Sequence, residues 1–290
     1  MKNYTDSELT LNEDGKIYHL GVDGNDIADT VILVGDPARV EFIGSYFDAI
    51  RFKNENREFC TLTGTYRGKE ITVISTGIGT DNIDIVLTEL DAAVNIDLKS
   101  RKDQAVPRRL NLIRIGTCGG LHPDIEPGSH IISKYAIGLD GLAHFYQIPY
   151  SEDEKNALAA LKDHTQWPLD INQPYLKQGS QELIELLGEG MEQGITTTAN
   201  GFYGPQGRSI RIPLKHVHFK EGLRTFEWGG VRATNLEMET SGLYALAGAL
   251  GHQSVTVCLV LANRYSNSFE PNYKDKMANL IQLILDRLTK

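Results

Sequence analysis

Thr30-Val31-Ile32-Leu33-Val34-Gly35-Asp36-Pro37-Ala38-Arg39 decides the fold of this chain. Five apolar or β-branched residues in a row read as a strand buried on both faces. Asp36 then offers a helix N-cap, and Pro37 a first helical position with its φ already set. The same order recurs downstream. Ile71-Thr72-Val73-Ile74-Ser75 empties into Thr76-Gly77-Ile78-Gly79-Thr80, and Leu112-Ile113-Arg114-Ile115 into Gly116-Thr117-Cys118-Gly119-Gly120. Two further buried-strand runs are His130-Ile131-Ile132-Ser133 and Val255-Thr256-Val257-Cys258-Leu259-Val260. Helical patterns fill 37–47, 82–94, 181–191, 241–250 and 273–288, the last repeating Met277, Leu280, Ile281, Ile284 and Leu288. Strands alternating with helices predict an α/β protein, with a mostly parallel sheet and helices on both faces. The polar insert 97–109 reads as an exposed helix extension or loop. No low-complexity linker interrupts the pattern, so one domain spanning 1–290 is expected.

Bulk properties narrow the function. The chain has 290 residues, 41% of them apolar, enough to bury a large core. Its 29 basic and 38 acidic residues give a net charge of -9, which argues against a nucleic-acid binder. Cys60, Cys118 and Cys258 lie far apart, without CxxC spacing, as in a reduced cytoplasmic protein with no structural zinc site. The first residues carry no apolar signal-like run and no stretch reaches membrane-spanning length, so no membrane partner is expected.

Ligands of open α/β sheets bind beyond the carboxyl ends of the strands, and three glycine-bearing strand ends here point to one crevice. The helix start after Gly35 favours an anion, and Arg39 is within reach of it; a capped helix with a surface arginine is the plainer reading. Arg114 interrupts an apolar strand, so its guanidinium requires a partner: a core carboxylate, or an anion captured beside Thr117. Neither GxxxxGK[ST] nor GxGxxG follows a strand, which counts against an NTPase and a dinucleotide enzyme. Asn235-Leu236-Glu237-Met238-Glu239-Thr240 brings alternating carboxylates into a helix, suited to a vicinal diol or simply to the helix dipole. Asn263-Arg264 ends the last buried strand. Phe202-Tyr203-Gly204-Pro205-Gln206-Gly207-Arg208 sets an amide and a guanidinium two residues apart on a breaker-bounded loop. That donor and acceptor set complements the O2/N3–H/O4 edge of uracil, although such a loop is also a common surface turn.

Together these segments resemble the nucleoside phosphorylase-I family, most closely its uridine phosphorylase branch. The resemblance runs from Tyr18-His19-Leu20-Gly21 to Asn263-Arg264 through Gly35-Asp36-Pro37, Asn56-Arg57-Glu58-Phe59, Ser75-Thr76-Gly77-Ile78-Gly79, Arg114-Ile115-Gly116-Thr117 and Glu237-Met238-Glu239. It implies a twisted mixed sheet, partly barrel-like, and phosphate-dependent cleavage of uridine to uracil and ribose 1-phosphate. It also implies a phosphate site from Gly35, Arg39, Arg114 and Thr117, completed by Arg57 of a neighbouring subunit. Met238 and Glu239 would hold the ribose, and His19 of the neighbour its 5′-hydroxyl. Phe202, Gln206 and Arg208 would form the base pocket, with Arg264 steadying Gln206. A homodimer is the implied minimal unit. No metal or organic cofactor is expected, although some relatives hold a cation at the subunit interface near the position of Glu58. Thr80-Asp81-Asn82, the 97–109 insert and Gly207 depart from the best-known bacterial pattern.

Three rival readings accompany this one. A purine nucleoside phosphorylase places an aspartate where Asn263 stands here, and an amide is no general acid. A nucleosidase would not need Arg39, Arg57 and Arg114 together. A catalytically silent nucleoside-binding protein would be expected to lose phosphate ligands.

Overall fold

The computed structural model describes residues 3–263 and 265–290. In chain order the first half contains β1 (Thr30–Val34), α1 (Pro37–Gly44), β2 (Ala49–Asn56), β3 (Phe59–Tyr66), β4 (Lys69–Ser75), α2 (Thr80–Asn95), β5 (Ile96–Asp97), β6 (Lys102–Asp103), β7 (Asn111–Gly120) and β8 (His130–Gly138). After a 3-10 turn come α3 (Glu152–Thr165), β9 (Tyr175–Gln178), α4 (Gln181–Leu187), β10 (Glu192–Thr198), α5 (Phe219–Arg224), β11 (Glu227–Trp228) and β12 (Val231–Glu237). The chain closes with α6 (Thr240–Leu250), β13 (Gln253–Asn263), β14 (Ser268–Phe269) and α7 (Tyr273–Leu288).

A single large sheet runs β11-β12-β10-β8-β13-β7-β1-β4-β3-β2. Its centre is parallel, with β1 between β4 and β7, and β7 beside β13. Antiparallel pairs finish the flank at β4-β3-β2 and join β13 to β8. One further pairing changes the shape. β12 turns back antiparallel onto the end of β7, with Asn235 opposite Gly120 and Leu236 opposite Gly119. The strands β7, β13, β8, β10 and β12 therefore close into a ring, while β1, β4, β3 and β2 extend from it as an open sheet. This is the mixed, partly barrel-like α/β fold. It places the carboxyl end of β7 against that of β12.

Local chemistry explains the elements. Asp36 accepts the Ala38 N–H at 2.9 Å and Pro37 opens α1. α7 presents Met277, Leu280, Ile281, Ile284 and Leu288 to a core shared with β1, β7 and β13. The opposite face of the sheet is covered by α2 and α6. No helix among the described residues is long and apolar enough to cross a membrane.

Two expectations need correction. β7 does not end at Ile115 but runs on to Gly120, because the small residues after Arg114 let β12 and β13 approach on either side. The 97–109 insert contains neither a helix extension nor only loop: β5 and β6 pair as a short hairpin. It serves as a strap. Lys102 bridges to Asn3, and the Arg101 guanidinium donates to the Leu9 carbonyl at 2.7 Å, tying down the segment that leads to His19.

Candidate active site

The joined ends of β7 and β12 form the floor of a cavity of about 530 Å³. Gly35 and Arg39 enter it from the β1–α1 turn, Arg114 and Thr117 from β7, and Met238 and Glu239 from the β12–α6 junction. Phe202, Gln206 and Arg208 close the far side. Nine of the residues read from the sequence thus meet in one place.

Arg114 is 5% exposed and finds the core carboxylate that a buried guanidinium requires. Its guanidinium pairs with the Glu239 carboxylate and lies 3.4 Å from Glu237 Oε2, yet it also lines the cavity. Burial alone would lower the Arg114 pKa, but Glu239 and then Glu237 outweigh it and hold the arginine charged. Burial pushes the Glu239 carboxyl upward, with Arg114 opposing and Glu237 reinforcing the rise. The Gly79 N–H donates to Glu239 Oε1 at 2.8 Å, which links the carboxylate to the start of α2. Glu237 is the anchor of the group. It accepts Thr198 Oγ1–H at 2.6 Å and the N–H groups of Glu239 and Thr240, neutralising the amino end of α6.

Arg39 faces the same space. It donates to the Ile115 carbonyl at 3.3 Å and forms no ion pair with a carboxylate among the described residues. Burial first, and then the like charge of Arg114, lower its pKa. Two guanidiniums converging on a cavity of this kind repel each other, and an anion between them relieves that repulsion. The glycine at 116 makes room for this arrangement: a Cβ there would stand 1.9 Å from Arg114 Nη1.

On the opposite wall, a one-turn 3-10 helix (Gly204–Gln206) ends at Gly207, whose φ of 68° lies in the left-handed region glycine favours. That reversal folds Arg208 back beside Gln206. Arg208 Nη1 donates to Gln206 Oε1 at 3.0 Å and to the Phe202 carbonyl at 2.5 Å. The guanidinium carbon sits 3.8 Å from the centroid of the Phe202 ring. The bond to Oε1 orients the amide: along the wall the order is guanidinium donor, amide acceptor, amide donor. Gly207 is therefore what makes the two readers converge.

Two predicted residues, His19 and Arg57, do not line this cavity. His19 is held by Glu89, with Nδ1 2.5 Å from Oε1, and Arg57 is exposed on the turn between β2 and β3. Both lie on one surface patch, since Asn56 Nδ2 donates to the His19 carbonyl at 2.8 Å. Arg264 lies outside the described residues. Its neighbour Asn263 does not point to a ligand. Its amide donates to the His122 and Ile125 carbonyls at 2.5 and 2.7 Å and accepts the Tyr265 N–H at 2.9 Å, so it clamps loops. Sequence reading missed Ile78, Leu261 and Phe269 in the wall and the anchoring role of Glu237. The apolar three carry no motif. Ile78 and Leu261 follow the apolar runs at 71–75 and 255–260, which is the signal the sequence offered for them.

A Phosphorylase superfamily model matches residues 29–289. The uridine phosphorylase of Thermococcus kodakarensis is 33% identical over 274 residues, covering 93% of this chain and 85% of that protein. A DeoD-type purine nucleoside phosphorylase of Caldanaerobacter subterraneus is 29% identical, over 83% of this chain and 86% of its own. Among solved structures, a Trypanosoma brucei nucleoside phosphorylase, described as showing uridine phosphorylase activity, superimposes with a TM-score of 0.88. It is 30% identical, with 97% and 99% of the two chains covered.

Proposed function

This chain belongs to the phosphorylase superfamily and is a nucleoside phosphorylase; from that premise we propose that its nucleoside is uridine, cleaved by phosphate to uracil and ribose 1-phosphate. The observation that carries the base assignment is the bond from Arg208 to Gln206 Oε1. It sets donor, acceptor, donor against O4, N3–H and O2 of uracil. Cytosine presents an amino donor and a bare N3 at the first two positions, and guanine presents a donor at the third. The uridine phosphorylases among the relatives support the same reading, whereas the purine enzymes among them leave the base to be decided by the site.

In the proposed reaction, Arg39, Arg114, Gly35 and Thr117 bind phosphate below C1′, and Arg57 of a second subunit completes the shell. Glu239 and Met238 hold the ribose, and His19 of the second subunit meets its 5′-hydroxyl. As the glycosidic bond breaks, positive charge grows on the sugar next to the phosphate and negative charge on uracil next to Arg208. Every step is supplied by side chains and phosphate, so the reading needs no organic cofactor or metal. That Arg57 and His19 share one patch outside their own cavity supports a homodimer with shared sites.

The purine alternative asks for a proton donor where Asn263 spends its amide on two carbonyls. The test is incubation with uridine, cytidine or inosine, with and without phosphate, following free base. Uridine turnover that requires phosphate is expected, with cytidine slower by roughly a hundredfold or more. Inosine turnover with inert uridine overturns the base assignment.

A further inference from the structure

A second cavity borders the base-reading loop and, at about 780 Å³, is larger than the one just described. It lies on the other side of that loop, against Tyr203, Gly204 and Pro205, and among the described residues Arg208 alone lines both cavities. Its volume falls in the range of small-molecule sites. The walls include Leu139, Ile171, Leu214 and Phe219, while Ile210 and Ile212 stand 77% and 83% exposed at the rim.

Charge in this chamber runs against that of the whole protein. Arg208, Arg211, Lys215 and His216 line it, with Asp170 as the carboxylate. Asp170 is already engaged, pairing with Lys215 and lying 3.0 Å from His216 Nε2. Among the described residues Arg211 forms no ion pair, and Arg208 contacts neutral groups: the Phe202 carbonyl, the Gln206 amide oxygen and the Phe202 ring. Two guanidiniums without a carboxylate, beside an apolar wall with uncovered isoleucines, complement a flat aromatic body that carries one acid group.

We propose that this chamber is a second binding site, for an aromatic anion, and that its occupant competes with the nucleoside base for Arg208. An acid group there is the counter-ion Arg208 lacks, so it draws the guanidinium away from Gln206 Oε1 and unsettles the order of donors and acceptors on the base side. Coupling between the sites is then negative and reciprocal. The coupling, though not the site, rests on the assignment of Arg208 to base recognition.

The test uses 8-anilinonaphthalene-1-sulfonate with the full chain. Saturable one-to-one fluorescence enhancement is expected, weakened at least roughly tenfold in Arg211→Glu and in Ile212→Asp, each worth about 1.4 kcal/mol per decade. Both variants should retain wild-type nucleoside cleavage without the probe. In the wild type the probe should raise KM for the nucleoside that is turned over and leave KM for phosphate unchanged. Unaltered probe binding in both variants overturns the site, as does displacement of the probe by phosphate. Binding that obeys the variants but leaves the nucleoside KM untouched overturns the coupling alone, and because binding is read without turnover, it stands apart from the identity of the substrate.

Discussion

Replacing Gly116 by alanine tests whether Arg114 serves the phosphate site in the pose described. The added Cβ would lie 1.9 Å from Nη1, 2.7 Å from Cζ and 3.0 Å from Nη2. To restore ordinary contact near 3.5 Å the guanidinium must shift by roughly 1.5 Å. A shift of that size breaks its pairing with Glu239 and its approach to Glu237, on a side chain with almost no exposure. Uncoupling a buried ion pair costs about 3–5 kcal/mol, reduced to the extent that the displaced guanidinium finds solvent in the cavity. Phosphate loses one charged hydrogen-bond donor, worth about 1.5–3 kcal/mol, or about tenfold to a hundredfold in affinity. The assay is initial velocity against phosphate at saturating nucleoside, paired with urea denaturation. Gly119→Ala is the control, since a Cβ there meets only the Ala262 carbonyl, at 3.8 Å. If Gly116→Ala matches Gly119→Ala in both phosphate KM and stability, Arg114 does not lie across Gly116 and its place in the phosphate site is wrong.

Other substitutions probe the remaining walls. Arg208→Ala should lower kcat/KM for uridine by about ten- to a hundredfold and narrow the preference over cytidine, with KM for phosphate unchanged; a large rise in that KM would mean Arg208 serves the anion instead. Asn263→Asp turns a carboxylate toward two carbonyl oxygens, so urea denaturation should show a loss of about 3 kcal/mol or more without any gain of inosine cleavage; a stable, inosine-cleaving variant would refute the clamp. Gly207→Ala places a side chain at a φ of 68° and 3.0 Å from Lys220 Cδ, and it should impair uridine more than phosphate kinetics. Mixing inactive Arg114→Ala with inactive Arg57→Ala protein should restore part of the activity if sites are shared between subunits; mixtures as inert as their components would argue that each chain works alone.

Much of the fold is legible because its signals are local. The run at 30–34 becomes β1 and the periodic stretch at 273–288 becomes α7, residue for residue. Elements escaped where the local signal was diluted. β3, Phe-Cys-Thr-Leu-Thr-Gly-Thr-Tyr, mixes threonine and glycine among few large apolar residues, although all but Thr65 are buried. β10 ends on three buried threonines, of which Thr196 and Thr198 donate hydroxyl hydrogen bonds to Asn235 and Glu237 inside the ring. α3 was readable and missed: Ser151 and Glu154 form a reciprocal capping box.

The sequence by itself determined the layered α/β plan, the glycine-bearing strand ends and the residue types that converge there. Those follow from burial over a few neighbours and from the chemistry of single side chains. Tertiary structure decided the rest. It closed β7 onto β12, and so brought Arg114 to a carboxylate 125 residues away while keeping it on the cavity wall. It oriented the Gln206 amide through Arg208 and turned Asn263 from the ligand toward its own backbone. None of these has a local signature, because each depends on which distant segment occupies the other side of a contact, and that is fixed only when the ring closes.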